Sequence, residues 1–112
     1  MKQILMIIVM TVALGALMAH PAGNVKPTFD KGSSLLSVSF AHKVRDAADH
    51  YINHVEIKVN GKDAIVHKLS LQESLEGGSL VYKLPALKKG DKINVLTKCN
   101  KGGDKSSTIT VP

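Results

Sequence analysis

The sequence predicts an all-β fold: an immunoglobulin-like antiparallel β-sandwich of about seven strands after an N-terminal signal peptide. Three observations predict it. Short runs rich in Val, Ile, Leu, Thr and Ser alternate apolar with polar residues. Turn signals built from Gly, Pro, Asn and Asp separate these runs at the spacing of a sandwich. No long segment carries helical periodicity.

The leader comes first. Lys2 supplies a positive charge, residues 4–19 form an apolar run, and the run ends on the small residue Ala19. This three-part pattern predicts a signal peptide over 1–19 and a single domain over 20–112. Cleavage would make His20 the first residue of an exported, periplasmic protein. The run is short for a spanning helix and polar residues follow it, so no membrane association is expected after cleavage.

The strands follow in order. "NVKPTF" (24–29) reads as an edge strand, because Pro27 cannot donate to a ladder. "LLSVSFA" (35–41) turns Leu36, Val38 and Phe40 inward and Ser37 and Ser39 outward. "HKVRDAAD" (42–49) is a polar loop. "HYINHVEIKV" (50–59) places Tyr51, Val55, Ile57 and Val59 on one face and His54, Glu56 and Lys58 on the other. Asn60-Gly61 is a hairpin signal, and "DAIVHKLSL" (63–71) returns. "QESLEGG" (72–78) reads as a solvated loop, with the next strand starting after Gly77-Gly78. "SLVYKL" (79–84) and "DKINVLTKC" (91–99) are the next strands, the latter with Ile93, Val95, Thr97 and Cys99 on one face. "SSTITV" (106–111) closes the chain.

Composition excludes several functions. The net charge is +6, but the lysines are scattered, and the aromatics are two Tyr and two Phe with no Trp. Nucleic-acid binding needs a dense basic stripe with stacking aromatics. A diffuse positive field instead attracts small anions. The Gly77-Gly78 and Gly102-Gly103 pairs lack the strand-to-helix setting of a phosphate loop. The carboxylates are scattered, and no nucleophile signature surrounds Cys99.

Cys99 is the single cysteine, so no internal disulfide can form. In a small exported domain such a residue suggests an intermolecular bond, a reactive thiol or a metal ligand, with a buried inert thiol as the simplest alternative. Five histidines accompany it. His54 and His67 fall inside strands on polar faces and read as solvated. His42 and His50 bracket one loop, and Cys99 ends another strand. Loops from alternate strand ends gather at one pole of a sandwich. If these loops share a pole, imidazole and thiolate converge on a metal.

"AHKVRDAADHYINHVEIKVNGK" followed by "KKGDKINVLTKCNKGG" resembles the iron-binding domain of desulfoferrodoxins and superoxide reductases. The resemblance covers residues 41–103. It implies an immunoglobulin-like sandwich holding ferrous iron between four equatorial histidines and an axial cysteine thiolate, with an open position that reduces superoxide to peroxide. His42 matches the histidine that opens the loop, although Lys43 stands where the family has proline. His50 matches the strand-start histidine, after a loop longer by a couple of residues. Cys99 matches the axial cysteine, with Asn100 and Gly103 in register. Gly102 stands where the family carries its late histidine. His20 is the histidine available for the N-terminal ligand, with no lysine before it. After cleavage His20 would offer both its imidazole and a free α-amine.

The resulting expectation is a mononuclear metal site of His20, His42, His50 and Cys99, with no catalytic residues beyond the ligands. The cofactor would be iron cycling between Fe2+ and Fe3+, or alternatively copper. Superoxide or another small anion would be the substrate. Electrons would come from a separate donor protein, since one cysteine cannot build a second iron centre. The alternatives are a periplasmic copper carrier or sensor that uses the N-terminal histidine, and a metal-free sandwich that serves as an interaction module.

Overall fold

Side-chain alternation settles where each strand lies in the computed structural model, which describes residues 20–112. The expected leader, 1–19, lies outside the described residues. The strands are β1 (Asn24–Asp30), β2 (Leu35–Ala41), β3 (Ile52–Val59), β4 (Lys62–Lys68), β5 (Gly77–Lys83), β6 (Lys92–Cys99) and β7 (Asp104–Thr110). They form two antiparallel sheets, ordered β1-β2-β5 and β4-β3-β6-β7. Every helix-or-strand element among the described residues is a strand, so the all-β sandwich stands.

β2 alternates cleanly: Leu36, Val38 and Phe40 are buried between exposed Leu35, Ser37, Ser39 and Ala41. β6 does the same with Ile93, Val95, Thr97 and Cys99. The Thr97 hydroxyl donates to the Lys105 carbonyl at 3.2 Å, so burial leaves it paired. Leu36 and Val38 from one sheet meet Val55, Ile57, Ile93 and Val95 from the other, all at most 1% exposed. Each such side chain contributes about 1.5–3 kcal/mol of transfer free energy. Pro27 sits on β1, an edge strand, as the sequence predicts.

The Asn60-Gly61 hairpin forms as expected. Val59 pairs with Lys62, and Asn60 and Gly61 take φ of 51° and 83°. Both central residues of a type I′ turn need that left-handed backbone.

Three sequence expectations are corrected. Strict alternation placed Tyr51 on the inner face of β3. A register shift between Ile52 and His54 resets the phase, and Ile52 takes the buried place, 1% exposed. Gly77 and Gly78, expected to precede the fifth strand, are the first residues of β5, paired with Ala41 and Phe40. A Cβ on Gly77 would stand 2.0 Å from the Phe40 carbonyl oxygen, so this close approach of strands needs glycine. Finally, "QESLEGG" is not wholly solvated, because Gln72 is 2% exposed.

Candidate metal centre

Antiparallel order carries several chain segments to one pole: the residues before β1, the end of β2, the start of β3 and the β6–β7 turn. Asn24 pairs with Ala41 across one sheet. Ile52 pairs with Cys99 across the other. His42 follows β2 directly, His50 stands two residues before β3, and Cys99 ends β6.

The structure brings three of the four sequence-derived site residues, His20, His42 and His50, into one cluster, and Cys99 reaches it through His50. His20, His42 and His50 each offer a ring nitrogen, and these nitrogens lie within 4.8 Å of one another. Their ring centroids are 4.6, 4.8 and 4.9 Å apart. Cys99 joins through His50, whose Nε2 lies 3.2 Å from the sulfur. His42 and Cys99 are buried, and His20 and His50 are partly buried. His54 and His67 stand apart with partners of their own. His54 lies 2.9 Å from Glu56 Oε1, and His67 Nδ1 lies 2.8 Å from the Tyr82 hydroxyl.

Local hydrogen bonds fix this pole. The loop after β2 is tied to 72–76 by three backbone bonds: His42 to Glu76, Val44 to Leu75 and Gln72 to Ala47. Asn100 clamps the His50 segment onto the β6–β7 turn. Its Oδ1 accepts from the Tyr51 amide at 2.9 Å and its Nδ2 donates to the Asp49 carbonyl at 2.8 Å. The Lys101 backbone N–H points at the Cys99 sulfur from 3.4 Å. The Lys101 ammonium lies 3.4 Å from Asp49.

The N-terminal segment packs on the same turn. A Cβ on Gly103 would lie 2.9 Å from the Pro21 nitrogen and 3.3 Å from the His20 carbonyl carbon. The bare glycine lets residues 20 and 21 lie against β6–β7. Gly102 takes φ of 116°. The position where the resembled family carries histidine is therefore shaped for glycine.

His50 has its pKa pushed below the usual histidine value. Burial is the largest cause, followed by the neighbouring His42, His20 and Lys101, while Asp49 opposes them. The ring therefore favours its neutral, lone-pair form, which a metal ligand needs.

Sequence reasoning missed Gln72. Its Oε1 lies 2.8 Å from His42 Nδ1 and accepts from the Ile52 amide at 3.3 Å. Its Nε2 donates to the carbonyls of His42 and Ser74, both at 2.8 Å. A glutamine inside a polar loop carries no periodicity, and nothing in the sequence marks it. The role of Asn100 was half-legible, as the residue in register after the cysteine.

No protein-family model, curated protein or solved structure matches this chain.

Proposed function

We propose that the chain is an exported metal protein that holds iron through His20, His42, His50 and Cys99 and reduces superoxide or a similar small anion. One observation carries the reading: three imidazoles converge within 4.8 Å and a thiol lies 3.2 Å from one of them. The donor set fits. Three nitrogens and a sulfur suit a first-row transition metal, whereas calcium and magnesium call for oxygen ligands. The depressed His50 pKa keeps that ring available. When bound, iron would supply one-electron chemistry, and the thiolate would donate electron density to it.

The chain's own residues supply the rest. The Lys101 N–H beside the sulfur stabilises thiolate charge. Scattered lysines, with a net charge of +6 over the whole sequence, steer anions inward. The resemblance to superoxide reductases supports the choice of iron, while Gly102 in place of a fourth histidine leaves the nitrogen set smaller.

A copper carrier is the second reading, favoured by the place of His20. Its carbonyl lies 3.2 Å from His42 Nε2, so the main chain of His20 reaches the cluster. With cleavage after Ala19, a terminal amine would stand beside the imidazoles.

Metal analysis of the protein isolated from its own compartment tests both readings. Iron at one equivalent, with a visible charge-transfer band after oxidation that disappears in Cys99→Ala, supports the first. Copper at one equivalent supports the second. A protein that holds neither metal and binds neither on addition overturns both. Superoxide decay after a radiolytic pulse, unchanged by the iron-loaded protein, overturns the redox role.

A further inference from the structure

We propose that Gln72 is a positioning residue that selects the tautomer of His42 and so decides which nitrogen faces the metal; this rests on the metal centre proposed above.

The partners of the Gln72 amide fix its orientation. Gln72 Nε2 lies 2.8 Å from two carbonyl oxygens, those of His42 and Ser74. Carbonyl oxygens only accept, so that end of the amide must be the NH2. Oε1 is then at the other end, where it accepts the Ile52 N–H at 3.3 Å. An oxygen in that place can only accept from His42 Nδ1, 2.8 Å away. Nδ1 must carry the proton, and in the neutral ring Nε2 holds the lone pair.

The competing tautomer has an acceptor waiting. His42 Nε2 lies 3.2 Å from the His20 carbonyl oxygen. A proton on Nε2 would bond that oxygen and block the nitrogen. Gln72 holds the balance the other way. With Nδ1–H formed, Nε2 and the His20 oxygen are two facing acceptors with no hydrogen between them. A metal ion placed against Nε2 would relieve that repulsion. Gln72 is 2% exposed and His42 1%, so water does not compete for these bonds. The second bond of Gln72, to the His42 carbonyl, fixes main chain and ring of the ligand together. Outer partners of this kind set both ligand orientation and metal affinity.

The test reads the ring directly in the metal-free, signal-cleaved protein at pH 8. Nitrogen-15 shifts of His42 are expected to show a protonated Nδ1 and an unprotonated Nε2. In Gln72→Met the proton is expected to move to Nε2, and Zn2+, a redox-silent probe, to bind about 10–100-fold more weakly. Gln72→Glu keeps an acceptor and is expected to restore the Nδ1–H form. A wild-type His42 protonated on Nε2, or a Gln72→Met protein with unchanged tautomer, overturns the positioning role. A wild-type protein in the Nδ1–H form that takes up no Zn2+ or Fe2+ overturns the metal centre instead. The wild-type measurement decides the tautomer even if Gln72→Met fails to fold.

Discussion

Cys99 belongs to two environments at once. The residue is 6% exposed and part of the apolar core, yet its sulfur touches the His50 ring and the Lys101 amide. Cys99→Ala separates the two contributions. Loss of one buried atom is expected to lower the stability of the metal-free fold by about 1 kcal/mol, read by urea unfolding. The same variant is expected to lose the thiolate absorption entirely once iron-loaded. A variant that keeps the band would remove sulfur from the ligand set. These residues were legible in the sequence because their types carry the chemistry: one thiol and two histidines bracketing a loop. Gln72 was not, because an amide acquires its role only when the chain folds two carbonyls and an imidazole around it.

At the scale of elements, the pole depends on turns more than on strands. The β6–β7 turn carries Cys99, the Asn100 clamp and the glycine against which the N-terminal segment rests. Gly103→Ala puts a methyl 2.9 Å from the Pro21 nitrogen on a backbone at φ of 93°. It is expected to destabilise the fold by about 1 kcal/mol and to displace His20. Zn2+ affinity should fall about tenfold in calorimetric titration. At the far pole, Asp91 ties the segment that leads into β6 to the β3–β4 turn. Its carboxylate accepts from the Lys88 amide at 2.8 Å and the Asn60 amide at 3.0 Å. These bonds, the Lys88 one foremost, hold its pKa below the ordinary carboxylate value of 3.8. The folded state therefore binds the proton less readily than the unfolded one. The stabilisation is complete above that ordinary value and is lost as pH falls through the lowered one. Asp91→Asn is expected to lower the melting temperature at pH 7 and to flatten its fall between pH 5 and 2, followed by circular dichroism. An unchanged acid slope would deny Asp91 this role.

For the whole molecule, the proposed metal centre would link binding to folding. The proposed ligands come from three regions of the sequence, His20, the loop from His42 to His50, and Cys99, and the unfolded chain does not hold them together. Excess Zn2+ at about 100 times its dissociation constant should add about 2.7 kcal/mol. For a domain of this size that raises the melting temperature by on the order of 10 °C. A chelator should reverse the shift, and the His50→Ala protein should show little of it. A melting temperature indifferent to metal would place binding outside the folded pole.

Sequence alone determined the sandwich and the identity of the metal-ligating candidates, because alternation and residue type are local properties. β2 and β6 could be read position by position, and Asn60-Gly61 announced its own turn. Tertiary structure decided what depends on meeting a distant segment. The phase of β3 shifted because Ile52 has a place opposite Cys99. Gly77 became a strand residue because the Phe40 carbonyl leaves no room for a side chain. The four candidate ligands share one pole because antiparallel pairing returns β2, β3 and β6 to the same end, a consequence of order in the sheets that no single stretch of chain contains.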